Sequence, residues 1–398
     1  MAACMNWLVL SVMVAIAGRV LSMPRGQVPD VPMAEFLTDY LNRQQRLPLS
    51  GPMEVPDWPS SDVVLGQVSG VDVTPLNSDV TPSYAVVVFH RGDKPWTEGT
   101  FDEHNVMPES ERHNITQDTI VVIHPDTGDV MESFGADMFY VPHGVTVDKD
   151  WNLWLTDVGT HQVMRIPKKE TVPDLILGEK FVPGNDDTHF CKPTDVAVAN
   201  NGDFFVSDGY CNSRVVKFSK EGKVIGHFGK DTAGEDAAPD SPYMLNVPHS
   251  LALVEHLDLL CVADRENQRV LCYNAGLKEP EKFGEFNRTL VPGREVGMPY
   301  GIAYNPKEDV MYVAALLSQQ PVWSQGFSYS PARAFTYDME GSYLGGWGYI
   351  LPNEAEQGPS IPHDIAASPT GLDVYMADVL QQAVHKFTQA PADRKYYG

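Results

Sequence analysis

Basic residues are scarce in this chain of 398 residues: 29 lysines and arginines stand against 53 aspartates and glutamates, which leaves a formal net charge of −24. Such an excess of negative charge argues against binding to nucleic acid or to an anionic membrane surface. Beyond the N terminus, no apolar run comes near the roughly 20 residues that a membrane-spanning helix needs, so we expect no membrane anchor. The apolar fraction of 43%, with 32 glycines and 31 prolines, is instead typical of a globular protein made of short strands and turns.

Cysteine is scarce as well, with five in the whole chain. The first, Cys4, lies in a short apolar stretch followed by small residues, which is typical of a secretory signal peptide, here residues 1–22. Removal of this segment leaves four cysteines, an even number that predicts two disulfides in a secreted protein. Sequons at Asn114 and Asn287 predict glycosylation in the same compartment. We therefore expect a protein of the secretory lumen, either stored in secretory granules or released.

An internal repeat organises the rest of the chain. Each copy begins with a short alternating strand, turns, and continues with a second strand that ends in aspartate in most copies. The opening prolines are Pro142, Pro193, Pro248, Pro299 and Pro362, and a divergent first copy begins at Val68. Six copies, each about 50 to 60 residues long with several strands, predict an all-β fold, a six-bladed β-propeller. We expect the propeller over residues 61–398, after an irregular segment at 23–60.

Histidine follows the opening proline in every second copy. His143, His249 and His363 share this position, while Thr194 and Tyr300 occupy it in the copies between them. Alternate blades of a six-membered ring are about 120° apart, so the three imidazoles are expected to meet on the channel axis. Three histidines with an open fourth position are the ligand set of many catalytic zinc sites.

The second strand of each copy runs antiparallel to the first and ends on the same rim as the histidines. Arg91 and Arg265 follow its end in copies one and four, on opposite sides of the ring, and Tyr210 lies just beyond its end in copy three. Two arginines and a tyrosine are therefore predicted at the histidine mouth. The recurrent aspartate at the strand end is interpreted as a turn former.

The same strand pairing predicts the disulfides. Cys191 precedes the first strand of the third copy and Cys211 follows its second strand, so antiparallel pairing brings these two together. Cys261 and Cys272 flank the next such turn symmetrically. Disulfides Cys191–Cys211 and Cys261–Cys272 would stiffen the loops that carry the tyrosine and one arginine of the mouth.

Several motifs together closely resemble peptidyl-α-hydroxyglycine α-amidating lyase, the C-terminal catalytic half of peptidylglycine α-amidating monooxygenase. They are Val87-Val-Phe-His-Arg-Gly-Asp, Ser207-Asp-Gly-Tyr-Cys-Asn-Ser-Arg, Ala263-Asp-Arg-Glu-Asn and the three Pro-His copies. The resemblance spans roughly residues 61–388. It implies a propeller with NHL-like repeats that binds zinc and calcium. It also implies cleavage of peptidyl-α-hydroxyglycine to a peptide amide and glyoxylate, the last step of peptide amidation.

Carried over by motif, the family's functional groups fall on defined residues of this sequence. The zinc ligands are expected to be His143, His249 and His363. The resemblance places calcium between the carbonyl oxygens of Val71 and Val145 and the carboxylate of Asp364, and it implies the same two disulfides. The catalytic residues would be Arg91, Tyr210 and Arg265. Tyr210 is expected to act as general base aided by Arg265, with Arg91 on the substrate carboxylate, although the arginines could exchange these roles.

The sequence departs from the monooxygenase relatives because only about forty residues precede the propeller after the signal peptide, and no copper-ligand motif is found. We expect a stand-alone, monomeric lyase that takes α-hydroxyglycine-extended peptides from a separate peptidylglycine α-hydroxylating monooxygenase. Two other functions remain open: a calcium-dependent lactonase, or a non-catalytic secreted binding propeller with a structural metal. The segments 95–114 and 318–331 have no functional interpretation from sequence.

Overall fold

The computed structural model describes residues 51–76, 82–231, 241–316, 333–348 and 360–389. All of them belong to the unit Pro48–Gly398, and the unit Met1–Leu47 lies outside the described residues. The expected signal peptide at 1–22, most of the segment 23–60 and the insert at 318–331 also lie outside them. Within the described part of the chain, no helix has the length and apolarity to cross a membrane.

The described residues form six four-stranded antiparallel sheets, one per repeat, which confirms the predicted six-bladed propeller. Strands are numbered here in chain order. The innermost strands are β2 (Val68–Pro75), β6 (Pro142–Val147), β10 (Pro193–Val198), β16 (Pro248–Val254), β20 (Met298–Asn305) and β24 (Pro362–Ala367). The second strands are β3 (Tyr84–His90), β7 (Leu153–Asp157), β11 (Phe204–Asp208), β17 (Leu259–Asp264), β21 (Val310–Leu316) and β25 (Asp373–Asp378).

The outer half of each blade completes the meander. The third strands are β4 (Ile120–Ile123), β8 (Gln162–Ile166), β12 (Arg214–Phe218), β18 (Arg269–Asn274), β22 (Ala334–Asp338) and β26 (Ala383–Thr388). The outermost are β5 (Val130–Phe134), β9 (Leu175–Leu177), β13 (Val224–Phe228), β19 (Phe286–Val291), β23 (Tyr343–Trp347) and β1 (Met53–Glu54). A short parallel pair, β14 (Lys230–Asp231) and β15 (Met244–Leu245), and 3₁₀ turns at Glu98–Thr100, Glu109–Glu111, Glu255–Leu257 and Pro280–Lys282 lie in the connections.

The hydrophobic core consists of layers between neighbouring blades. Each blade packs both of its faces against other blades, so its second strand is buried on both sides. For this reason β3 is a continuous apolar run, buried along its whole length. The outermost strands face solvent on one side, and β13 accordingly alternates exposed and more buried residues. The inner strands contact one another in sequence around the ring, and β24 contacts β2.

The ring is closed by a strand from the other end of the chain. β1 pairs antiparallel with β26, so the last blade combines three C-terminal strands with one N-terminal strand. This strand lies inside the segment 23–60 that was expected to be irregular, and that expectation is wrong at this point. A strand of two residues is too short to show the alternation that identifies longer strands.

The sequons lie at the surface of the propeller. Asn287 is exposed on β19, and its side-chain amide donates to Asn274 Oδ1 at 3.1 Å. Asn114 is half-buried and its amide donates to the carbonyl of Asp137. Glycosylation at both asparagines stays a prediction.

Glu54 links the closing strand to two blades. Its carboxylate accepts from Nδ1 of His385 at 2.7 Å, on the paired strand, and from Nη2 of Arg333 at 2.9 Å, in the preceding blade. Burial alone would raise the pKa of Glu54, but the hydrogen bond from His385 and the charge of Arg333 lower it below its usual value. The ionised carboxylate therefore stabilises the closed ring.

We predict that Glu54→Gln lowers the free energy of unfolding by about 1–2 kcal/mol at neutral pH, because the charged hydrogen bonds are weakened. The folded-state pKa lies below the unfolded value of about 4.3, so this stabilisation is present above that pH and is lost as pH falls through the folded-state pKa. Thermal unfolding across this range measures the difference. Glu132→Gln, on exposed β5, is the matched control. Equal effects of both variants at neutral pH would contradict the role of Glu54.

Candidate active site

The three histidines that were predicted to converge do meet at one end of the channel. Each opens an innermost strand, and each is almost completely buried. The ring centroids of His143, His249 and His363 are 4.8 Å apart in all three pairs. One ring nitrogen of each lies within 4.8 Å of those of the other two, a spacing that a single metal ion can bridge. The geometry therefore provides a symmetric three-nitrogen site on the axis.

Hydrogen bonds between blades orient these rings. The Nδ1 atoms of His143, His249 and His363 bond to the carbonyl oxygens of Thr194 at 2.8 Å, Tyr300 at 2.7 Å and Ser69 at 2.7 Å, respectively. Each acceptor holds the equivalent repeat position in the next blade. Since a carbonyl oxygen only accepts, each Nδ1 carries the proton and each Nε2 presents a lone pair. A carbonyl partner of this kind is typical of histidines that bind metals.

A β-bulge next to the histidine allows this arrangement. In all six blades the pairing of the innermost strand shifts register just after the residue that precedes the histidine position of the repeat. Such a bulge redirects a side chain away from the regular alternation. The strands also approach closely here, because a Cβ added to Gly144 would lie 2.5 Å from the carbonyl oxygen of Thr194. The carbonyl can thus reach the ring of His143.

The environment keeps the three imidazoles neutral. Burial lowers the pKa of His143 and His249 well below the usual value, and it lowers that of His363 to about 3. Neighbouring histidine and arginine charges add to the effect for His143 and His249, and the charges of Arg91 and Arg265 add to it for His363. A neutral imidazole is the form that coordinates a metal ion.

Tyr210 lies directly above the histidines. Its hydroxyl oxygen is 2.9 Å from Nε2 of His143 and 3.1 Å from Nε2 of His249. Nη1 of Arg265 donates to the same oxygen at 3.4 Å. Burial raises the pKa of the phenol above its usual value, while the charges of Arg265 and Arg91 lower it in part. Burial thus favours the neutral phenol, and the two guanidinium groups act in the opposite direction.

Arg91 is buried, and two of its three guanidinium nitrogens donate hydrogen bonds to the protein. Its Nε donates to the carbonyl of Pro142 at 3.0 Å and its Nη1 to Oε1 of Gln67 at 2.8 Å. Its Nη2 is buried and has no hydrogen-bond partner among the residues that the structure describes. Burial lowers its pKa to about 10, so the guanidinium still carries its charge at neutral pH. An unpaired cationic N–H at a channel mouth suits an anionic acceptor from a ligand.

Arg265 lies between two tyrosines. The carbon of its guanidinium is 5.2 Å from the ring centroid of Tyr210 and 4.8 Å from that of Tyr300. Glu266 pairs with Nη2 of this arginine at 2.8 Å. The structure therefore brings Arg91, Tyr210 and Arg265 together beside the three histidines, as the sequence predicted. Tyr300, which occupies the histidine position of its repeat, is a further group at this site, with its ring centroid 5.2 Å from that of His249.

The strand-end aspartates serve the backbone, as the sequence indicated. Asp157 accepts hydrogen bonds from the backbone N–H groups of Tyr140, Val141, Gly159 and Thr160. Asp208 accepts a hydrogen bond from the N–H of Cys191, and Asp264 accepts one from the N–H of Asn246. The two carboxylates also pair with Arg214 and Arg269, respectively. The predicted disulfides Cys191–Cys211 and Cys261–Cys272 are both formed, the second across β17 and β18.

A second polar group lies next to the histidines along the channel. Asp364 follows His363 directly, and its Oδ2 accepts from the N–H of Val71 at 2.9 Å. Asp195 accepts from Leu251 N–H, and Asp72 from Val147 N–H. Burial raises the pKa of all three carboxyls, to about 6 for Asp72 and about 7 for Asp195. Mutual repulsion adds to the shifts of Asp195 and Asp364.

Asp364 was predicted in this region from the sequence, whereas Asp72 and Asp195 were not. The available signal was a carboxylate on an innermost strand, at a position that is apolar or small in most other copies. Val71 contacts Asp364 through its N–H, whereas the expectation for Val71 and Val145 concerned their carbonyl oxygens. That pair stays a prediction.

The fold and the mouth together define a class of protein: a six-bladed propeller with NHL-type repeats whose channel mouth combines three histidines, two arginines and a tyrosine. The NHL repeat family matches residues 190–218 and 245–273, which comprise the first three strands of the third and fourth blades.

Peptidyl-alpha-hydroxyglycine alpha-amidating lyase 2 of Drosophila melanogaster is 36% identical over 331 residues, which cover 82% of this chain and 72% of the fly protein. Lyase 1 of the same species is 37% identical over 83% of this chain and 58% of that protein. Peptidylglycine alpha-amidating monooxygenase of Rattus norvegicus is 39% identical over 83% of this chain, which spans only 31% of the rat protein. The chain belongs to the peptidyl-α-hydroxyglycine α-amidating lyase family.

We predict that Gly144→Ala destabilises the propeller by about 1–3 kcal/mol, because the new methyl group would force β6 away from Thr194. Chemical denaturation measures this loss. Gly99→Ala is the matched control, since a Cβ there meets nothing within 4 Å. A Gly144→Ala protein as stable as the control variant would contradict the close packing inferred for the channel wall.

Proposed function

We propose that this protein is a zinc-dependent lyase that cleaves the C–N bond of peptidyl-α-hydroxyglycine to yield an α-amidated peptide and glyoxylate. The observation that carries the proposal is the placement of Tyr210 Oη within 3.1 Å of two histidine nitrogens, beside the arginines of the mouth. Family membership supports a lyase over the two other functions considered, a lactonase and a non-catalytic propeller.

The histidines fit a zinc ion. Their Nδ1 atoms are already bonded to carbonyls, their rings are neutral, and their Nε2 lone pairs face the axis. His143, His249 and His363 would hold the metal and leave coordination positions open toward the mouth. When bound, zinc supplies a Lewis acid beside the reacting hydroxyl group.

The channel carboxylates fit a hard cation. Three partly buried aspartates, Asp72, Asp195 and Asp364, lie close enough that charge repulsion raises the pKa of Asp195 and Asp364, and a divalent cation would relieve this repulsion. Oxygen ligands are those that calcium prefers. We therefore propose calcium at Asp364 with the carbonyl oxygens of Val71 and Val145, where it would join inner strands of neighbouring blades.

The substrate carbon bears a hydroxyl, an amide nitrogen and a carboxylate, and each finds a partner at the mouth. Nη2 of Arg91, which has no partner among the described residues, binds the carboxylate. Tyr210, ionised with the help of Arg265, accepts the hydroxyl proton. The oxygen electron pair then forms the carbonyl of glyoxylate while the C–N bond breaks. The phenol returns its proton to the departing amide nitrogen, so that Tyr210 is regenerated as a phenolate.

The compartment and the source of substrate are part of the proposal. Two disulfides suit an oxidising lumen, so we place the protein in the secretory pathway as a glycosylated monomer. The peptides that it cleaves carry a C-terminal α-hydroxyglycine. A separate peptidylglycine α-hydroxylating monooxygenase would produce them.

We predict that the protein releases glyoxylate from an N-acylated α-hydroxyglycine, and that a chelator abolishes this release. His249→Ala should lose zinc and activity together, since two of three ligands rarely retain the ion. Elemental analysis of the purified protein and a glyoxylate assay measure both quantities. His227→Ala, on exposed β13, is the control and should keep both. Full zinc content in His249→Ala would refute the three-histidine site.

We predict that Tyr210→Phe keeps the fold and the metal but lowers kcat by about 10²- to 10⁴-fold, the range for loss of a general base. Phenylalanine retains the ring packing, so the loss would isolate the hydroxyl group. Steady-state kinetics and metal analysis of the same preparation test this. Unchanged turnover would show that another group takes the proton.

A further inference from the structure

The segment 95–114 between β3 and β4, which has no function assigned from sequence, begins at the histidine mouth. Its tryptophan, Trp96, packs edge-on against Tyr210 with ring centroids 4.8 Å apart and an interplanar angle of 66°. The guanidinium carbon of Arg91 lies 5.2 Å from the centroid of the same indole. The His143 ring is 6.4 Å away. One indole therefore contacts both the residue proposed as base and the residue proposed as carboxylate clamp.

A glutamine joins this tryptophan to the arginine through a second connection. Oε1 of Gln67 accepts from Nη1 of Arg91 and from the backbone N–H of Trp96, both at 2.8 Å. A single oxygen thus fixes the guanidinium and the start of the segment relative to each other. With Nε bonded to the carbonyl of Pro142, the guanidinium plane is fixed, and Nη2 has no partner within the described ranges of the chain.

The rest of the segment is anchored beside the loop that carries Tyr210. Lys192 Nζ donates to Oδ1 of Asn105 at 2.9 Å and lies 3.9 Å from the centroid of the Phe101 ring. Phe101 packs against Trp96 with centroids 5.5 Å apart. Lys192 follows Cys191, whose disulfide partner is adjacent to Tyr210. The tryptophan is therefore held from both sides, by blade one through Gln67 and by blade three through Lys192.

We propose that Trp96 is a positioning residue of the active site, whose indole sets the separation between the Arg91 guanidinium and the Tyr210 phenol. This inference rests on the proposed lyase function. A substrate that spans a few ångströms must meet clamp and base at once, and small misplacements of such groups cost large factors in rate. The aromatic–aromatic contact and the cation–π contact are the interactions that hold the two groups in place. Segment 95–114 is, on this basis, a wall of the active site.

The test compares Trp96→Ala with Trp96→Phe, which restores an aromatic ring. Two quantities are measured: kcat and KM for an N-acylated α-hydroxyglycine, and the calorimetric Kd for N-benzoylglycine, which has the carboxylate and amide but no hydroxyl. Trp96→Ala should lower kcat by about 10- to 100-fold and raise the Kd for N-benzoylglycine by about fivefold or more. Trp96→Phe should recover most of both. Trp151→Ala is the control, because Trp151 also packs under a cation, Lys168, but in a loop between β6 and β7.

Each outcome decides the matter. If Trp96→Ala matches the wild type in kcat and Kd, Trp96 does not position these groups. If Trp96→Phe is as impaired as Trp96→Ala, or if activity falls only in proportion to the unfolded fraction, the role is structural and the inference is overturned. A wild-type protein that releases no glyoxylate refutes the lyase function alone. In that case an N-benzoylglycine affinity that depends on Trp96 still supports the positioning role, whereas an affinity independent of Trp96, or no binding, overturns it.

Discussion

The contact between innermost strands of neighbouring blades is the constraint on which this site depends. At the channel end, a histidine of one blade donates through Nδ1 to a backbone carbonyl of the next, and this happens three times around the ring. The bond is possible only because each strand has a bulge there and because small residues such as Gly144 let the backbones approach. Ring closure through β1 keeps the blades in that arrangement. Closure of the ring therefore also sets the orientation of the three histidine side chains.

Charge is distributed along the channel in a defined order. Arg91 and Arg265 lie at the mouth, three neutral histidines follow, and partly buried carboxylates lie next to these. The arginines help to keep the histidines neutral, and the aspartates repel one another. The cationic mouth suits an anionic substrate, while the histidines and the carboxylates suit two different metal ions. Under the proposed function, the mouth would receive the anionic substrate, and the two metal ions would lie at the histidines and at the carboxylates.

The fold could be predicted from the sequence because it is repetitive. Each of the six copies of the strand pattern predicts the same blade. The alternation of histidine with other residues then identifies which blades carry the site. Two disulfides followed from strand pairing alone. The closing strand Met53–Glu54 was missed because it stands outside the repeat and is too short to have a period. Trp96 and Gln67 were missed because neither belongs to the repeat positions that recur, so no second copy points to them.

What the sequence determined by itself is therefore everything that the repeat expresses: the number of blades, the rim on which the histidines, arginines and tyrosine lie, and the pairing of the cysteines. Those properties depend on periodicity and on antiparallel connection, which are local rules. What only the tertiary structure decided is the set of contacts across blades. The tautomer of each histidine, the surroundings of the Arg91 guanidinium, the cluster of Asp72, Asp195 and Asp364, and the position of Trp96 all arise where segments far apart in sequence meet. Distances of this kind are set by packing of the closed ring, and no single repeat contains them.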